Sequence, residues 1–260
     1  MTQKSSSIPS LNRLRDLRAW CKQPLGQQLT VAEQELLQDV LGDIFGYHLV
    51  QLDPACQLDS LAASRIVHRV VQSCTVQGLE QAPGLLGRAE ALPLQSDSVD
   101  AFVLSHVLEL AQDAHQVLRE IDRCLVAEGH LIVLGFNPYG WWGARKFLFG
   151  WRGNVPWSLR FVSLPRLKDW LSLLGFDTVR TRYLFPYPPW QYGAGSSKNR
   201  ITLWQRLHRE SWPLLAASSL LVARKRVITL TPIKPRWRPQ RSLLAGGVVG
   251  TSQGSLRPNG

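Results

Sequence analysis

From Gly46 to Phe136 the sequence alternates short β-rich runs with helical runs, and this constrains the fold more than any other feature of the chain. His48 to Leu52 reads as a short apolar strand, and Asp53-Pro54 after it as a helix N-cap with proline in the first turn. The helix they open is expected to run to about Ser64. Ile66 to Val71 is a second β-rich run, and Val99 to Leu104 a third strand. Asp113 opens a helix that places Val117, Leu118, Ile121 and Leu125 on one face, with Gly129 as its expected stop. His130 to Phe136 is apolar on both faces at its centre, as a strand covered on two sides must be. Strands and helices at this spacing predict an α/β fold: a mostly parallel sheet, its last strand antiparallel, with helices on both faces.

The flanks read differently. Residues 1–45 are expected to form an N-terminal helical extension. In it Ser10 caps a first helix carrying Leu11, Leu14, Leu17 and Cys21 on one face. Thr30-Val31-Ala32-Glu33, a capping-box pattern, opens a second helix that ends near Gly42. Residues 46–232 form the α/β domain, with a basic aromatic insertion at 138–162 and a Pro/Gly/Ser-rich mobile loop at 185–200. Ser163 is expected to cap a helix that Gly175 stops. Phe176 to Leu184 reads as a strand, 203–210 as a helix and Ser219 to Ala223 as the last strand. Residues 233–260 are a basic tail expected to be disordered.

Charge separates along the same lines. Residues 1–25 carry a net +4, residues 26–135 a net −10 and residues 136–260 a net +17, within a chain of net +11. Nine of the ten tryptophans also follow residue 140, so the C-terminal part is both basic and aromatic. Two surfaces with different partners are expected from this division. The cysteines, Cys21, Cys56, Cys74 and Cys124, contain no C-x-x-C pair, which argues against zinc and against a secreted disulfide framework. The first residues lack the apolar core of a signal peptide, and the longest weakly polar run, Trp212 to Ala223, is too short to span a bilayer. A cytoplasmic protein without a stable metal is the expectation.

Residues 87–136 carry a more specific pattern. Gly87-Arg88-Ala89-Glu90-Ala91-Leu92-Pro93-Leu94 is followed by Asp97-Ser98-Val99-Asp100 and then by Ser105-His106-Val107-Leu108-Glu109. Leu118-Arg119-Glu120-Ile121-Asp122-Arg123 and Glu128-Gly129-His130-Leu131 complete it. In order and spacing these pieces resemble the class I S-adenosylmethionine-dependent methyltransferases of the type 11 group. The resemblance implies a Rossmann-like fold, S-adenosylmethionine as cofactor, and methyl transfer to an unidentified acceptor, a small molecule by preference. It places cofactor contacts at Asp53, Arg88, Ala89, Glu90, Ser105 and His106. The sequence departs from the family's pattern at three points. Asp53-Pro54-Ala55-Cys56 stands where a glycine-rich loop is usual. Gln72 and Ser73 occupy the region of the ribose-binding acid, and Arg88 replaces an aspartate.

His106 is the candidate catalytic residue, as a general base or as a lining group facing the cleft, because imidazole titrates near neutral pH and this one directly follows a strand. His48 and His68 lie inside strands and are expected as packed or edge residues. Asn137-Pro138-Tyr139 weakly resembles the N-P-P-Y motif of amino-methylating enzymes. With Trp141 and Arg145, Asn137 and Tyr139 form the expected acceptor side. Arg145, Lys146 and Arg152 among tryptophans also suit an anionic partner, either nucleic acid or a membrane surface. The alternative function is accordingly a catalytically inactive module of the same fold that holds RNA, an anionic membrane or a protein through this segment. In the enzyme reading, the acidic part holds a cationic cofactor and the basic part admits an anionic or aromatic acceptor. The oligomeric state is left open by the sequence.

Overall fold

The structure, a computed structural model, describes residues 8–52, 64–74, 84–149, 155–184 and 216–227, together with Gly250. Its elements in chain order are α1 (Ile8–Cys21), α2 (Pro24–Leu41), β1 (His48–Leu52), β2 (His68–Ser73), β3 (Gly84–Leu86), β4 (Val99–Ser105), α3 (Val107–Leu110) and α4 (Ala114–Cys124). These are followed by β5 (Leu125–Phe136), α5 (Trp141–Phe149), α6 (Leu164–Leu173), β6 (Phe176–Leu184) and β7 (Ser218–Lys225). The expected helices over 53–64 and 203–210, the loop at 185–200 and the tail from 233 lie outside the described residues, apart from Ser64 and Gly250.

The strands form one seven-stranded sheet in the order β3-β2-β1-β4-β5-β7-β6. β1 is parallel to β2 and β4, β2 to β3, and β4 to β5, whereas β7 runs antiparallel to both β5 and β6. This is the mostly parallel, helix-flanked sheet that the alternation predicted. The period of two in the central strands sorts their side chains to opposite faces. Leu49, Ala101, Val103, Ile132, Leu134, Leu220 and Val222 lie on one face. They share a buried core with Leu14, Leu17 and Trp20 of α1 and with Leu29, Leu37, Val40 and Leu41 of α2. Val50, Leu52, Phe102, Leu104, Leu131, Val133 and Leu221 lie on the other, packed with Val117, Leu118 and Ile121 of α4 and with Leu164, Leu167 and Leu171 of α6. The N-terminal helices therefore build half of the core, and the elements above all belong to one compact unit, Met1–Val227.

Several boundaries correct the sequence reading. Ser10 lies inside α1, which already begins at Ile8. Thr30 does not open α2: the helix starts at Pro24 after Gln23, and the Thr30 hydroxyl bonds back to the Gly26 carbonyl at 2.8 Å. Proline at the first helical position, with its preset φ, is the stronger start signal. α4 begins where expected, with the Asp113 carboxylate accepting the His115 and Gln116 N–H groups, but it ends at Cys124 and not at Gly129. Leu125 there turns extended and pairs with Val99, and the register shifts before Ala101 meets His130. Gly129 instead serves close approach, since a Cβ there would lie 2.7 Å from the Leu125 side chain and 2.9 Å from the Val126 carbonyl. Gly175, at φ +84°, does stop α6. The basic aromatic insertion is helical over α5. Cys21 is disulfide-bonded, whereas Cys74 and Cys124 are in no disulfide, so the cysteine spacing does not exclude a single bridge. Among the described residues no helix is long and apolar enough to cross a membrane.

The α1–α2 junction rests on a close backbone approach. A Cβ at Gly26 would sit 2.3 Å from the Trp20 carbonyl oxygen and 2.7 Å from the Cys21 Cα. Gly26→Ala is expected to force the two helices apart and cost about 1–3 kcal/mol, typical of overpacking. Urea denaturation should show a lower midpoint, and an unchanged or raised midpoint would contradict the close approach.

Candidate functional site

In an open α/β sheet, ligands bind outside the carboxyl ends of the strands where the strand order reverses. Here the reversal lies between β1 and β4. Leu52, Ser73, Ser105 and Phe136 end their strands on this edge. Because β7 is antiparallel, its first residue, Ser218, arrives there too, opposite Phe136.

A buried polar cluster stands on that edge. His106 follows β4 in a left-handed conformation (φ 58°), and its N–H bonds the Leu134 carbonyl of β5 at 3.0 Å. The imidazole is fully buried and stacked on Phe136, with ring centroids 4.1 Å apart. Its Nε2 lies 3.1 and 3.2 Å from the two carboxylate oxygens of Glu33, itself fully buried on α2. The Ser218 hydroxyl donates to Glu33 Oε1 at 2.7 Å. On the other side of the ring, Glu109 Oε1 is 3.7 Å from Nδ1 and accepts the Phe136 N–H at 2.7 Å. Gly135 admits that carboxylate, since a Cβ there would lie 2.8 Å from it. Burial pulls the imidazole's pKa down. The charge of Glu33, the nearby Glu109 carboxylate and the hydrogen bond to Glu33 override it and push the value from 6.5 up to about 10. A ring held in this way carries its proton at neutral pH.

Glu33, Glu109 and Ser218 are site residues that the sequence reading missed. The signal for Glu33 lay in its spacing. It occupies the apolar row Leu29, Glu33, Leu37 and Leu41, all buried on the inner face of α2, where an acid without a partner is too costly to keep.

The residues named from sequence fall in different places. Asp53 lies outside the described residues. Arg88 is exposed and 3.7 Å from Glu90, while Ala89 is buried in the turn between them. That loop is tied to α4, because Glu120 accepts the Leu92 N–H and Arg123 donates to the Leu92 and Leu94 carbonyls. Ser105 is buried. Asn137 is buried as well, donating to the Ala216 carbonyl and accepting the Tyr139 N–H, while the Tyr139 side chain is exposed. Trp141 begins α5, and its side chain lies outside the description. Trp142 is fully buried, stacks on Phe136, meets Trp20 edge-on and lies tilted against Trp157. Arg145 covers the Trp157 ring at 4.9 Å, and Lys146 covers Phe161 at 4.3 Å and bonds the Leu159 carbonyl. Arg152 lies outside the described residues. The edge therefore gathers Ser105, His106 and Asn137, and leaves Arg88 and Tyr139 at the surface. His48 and His68 are exposed and face each other across β1 and β2, with Nδ1 atoms 2.8 Å apart. Among the described residues no group of three or more His, Cys, Asp or Glu side chains is placed to hold a metal ion.

A family model described as a methyltransferase domain matches residues 35–133. The uncharacterized protein YafS of Escherichia coli K12 is 32% identical, over 83% of this chain and 84% of its own length. The chain belongs to the class I S-adenosylmethionine-dependent methyltransferase family. The ubiquinone/menaquinone biosynthesis C-methyltransferase UbiE of Rubrivivax gelatinosus is 31% identical over 52% of this chain and 64% of its own. The crystal structure of a possible histamine N-methyltransferase from Thermotoga maritima superposes with a TM-score of 0.55. It is 16% identical and covers 85% of this chain and 96% of its own, which speaks to the fold.

The cofactor of this family is S-adenosylmethionine, and the buried polar atoms of the carboxyl edge fit such a group. Gln72, next to the end of β2, is fully buried, yet neither its Oε1 nor its Nε2 has a hydrogen-bond partner. Gln51 Nε2 on β1 and Ser105 Oγ on β4 are likewise buried and unpartnered. An orphaned buried amide costs stability. One with a free donor and a free acceptor suits the hydroxyls and ring nitrogens of a nucleoside.

The His106 cluster carries a pH signature. The imidazole binds its proton more tightly in the folded chain, at about 10, than at its ordinary value of 6.5. Its contribution to stability is thus complete below about pH 6.5 and is lost as pH rises through about 10. The urea midpoint is expected to fall between pH 7 and pH 10, with a flatter fall in His106→Gln. Parallel slopes in the two proteins would show that the imidazole is not held by its carboxylates.

Proposed function

We propose that this chain transfers a methyl group from S-adenosylmethionine to a small-molecule acceptor at the carboxyl edge of the sheet. The observation that carries the reading is the pair of unpartnered polar atoms on buried Gln72, at the strand edge where this fold takes its ligands. Gln72, Ser105 and the Arg88-Ala89-Glu90 turn would hold the cofactor, together with Asp53. The bound cofactor supplies an electrophilic methyl group on a cationic sulfur, so the protein's task is to align the acceptor and exclude water.

This chain's own residues meet that task in three ways. α1 and α2 cover one face of the sheet and shut water out of the edge. Glu33 and Glu109 fix the His106 ring, and Phe136 supports it from below. Asn137 closes the turn after β5, which leads to Tyr139 and to the aromatic stack of Trp142, Trp157 and Phe161 beside the edge. We assign Asn137, Tyr139, Trp141 and Arg145 to the acceptor side. The name of the UbiE relative, a C-methyltransferase of quinone biosynthesis, supports a small-molecule acceptor. His106 acts in this reading as a fixed cationic group, because its carboxylates hold its proton at neutral pH.

Calorimetric titration with S-adenosylmethionine and with S-adenosylhomocysteine tests the reading. Micromolar binding is expected, and no heat at millimolar ligand would refute it. Gln72→Leu should weaken both ligands by about tenfold, the worth of one good hydrogen bond. The same change should raise the urea midpoint of the free protein, since it removes a buried amide that has no partner.

A further inference from the structure

The polar cluster on the edge sets two carboxylates, Glu33 and Glu109, against one imidazole, all three buried. Fully ionised, it holds an excess of one negative charge. Lys146, which feels the charge of Glu109, is tied to the Leu159 carbonyl and the Phe161 ring. Glu33 stands just before the segment that the family model matches, residues 35–133, and Ser218 lies well beyond it. The excess charge is therefore assembled by an N-terminal helix and a C-terminal strand brought over the ends of β4 and β5. It lies beside β4, one of the two strands between which the strand order reverses.

Methyl transfer changes the charge of the ligand at that point. The sulfur–methyl bond breaks, the acceptor–methyl bond forms, the cationic sulfonium becomes a neutral thioether, and an acceptor that bore a proton releases it. We propose that Glu33 is a specificity-determining residue of this site: with Glu109 it supplies a buried negative charge that favours the cationic methyl donor over the neutral demethylated product. The inference rests on the methyltransferase reading above. A buried charge acts at close quarters with little screening, and one unit removed within ~10 Å changes the affinity of a cation by about tenfold.

The test compares affinities in Glu33→Gln, which keeps the shape and removes the charge, with Glu33→Asp, which keeps the charge. The ligands are S-adenosylmethionine, S-adenosylhomocysteine and sinefungin, whose amine is cationic where the donor has its sulfonium. Glu33→Gln is expected to weaken both cationic ligands about tenfold and leave S-adenosylhomocysteine unchanged, whereas Glu33→Asp restores the difference. Glu109→Gln should act in the same direction, and it carries the test if Glu33→Gln does not fold. Equal losses for all three ligands, or none, would overturn the inference while leaving the methyltransferase reading intact. Failure of the unmodified protein to bind any of them would overturn both.

Discussion

The contact on which the rest of the structure depends is the buried pairing of Glu33 with His106. An isolated charge in this interior would cost several kcal/mol, so neither residue is tolerable there without the other. Their pairing fixes α2 against the ends of β4 and β7 and thereby sets how the N-terminal helices cover the sheet. It also shapes the loop after β4. His106 takes a left-handed backbone conformation to bring its ring under α2, and the short helix α3 then turns Glu109 back onto the Phe136 N–H. One ion pair thus links the cover, the strand ends and the aromatic stack that begins at Phe136.

Much of this was legible in the sequence because burial leaves a periodic trace. The strands at 48–52, 99–105 and 176–184 show in their apolar and β-branched residues, and Asp113 and Gly175 punctuate α4 and α6 through ordinary cap chemistry. The misplaced features have local explanations. Thr30 and Glu33 have the spacing of a capping box, but Pro24 starts the helix earlier and the carboxylate is spent on a residue 73 positions away. Gly129 looks like a helix stop, yet its lack of a side chain serves the crowded turn at Leu125. Contacts between groups so distant in sequence have no periodic signature. Ser218 and Glu109 were invisible as site residues for that reason, and Glu33 betrayed itself only as an acid in an apolar row.

The basic aromatic segment illustrates how composition and placement part company. Its net charge reads as a surface for anions, but two of its cations lie flat on rings of the same segment. Arg145 covers Trp157 and Lys146 covers Phe161. Burial pulls the Lys146 ammonium below its ordinary pKa, while the charge of Glu109 opposes that shift. Within α5 these two cations work as packing groups, and Trp142 joins the aromatic core instead of meeting solvent.

The reversed direction of β7 has a consequence for the order in which the molecule assembles. The Ser218–Glu33 bond spans 185 positions, nearly the whole folded unit. During synthesis Glu33 emerges early, while the hydroxyl that completes its shell emerges near the end. Closure of so long a loop is slow compared with the formation of neighbouring helices. The carboxyl edge is therefore the last part of the unit to acquire its native surroundings, and a nascent chain stopped short of residue 218 would display only the five parallel strands, without β7 or a partner for β6, and an unfinished rim.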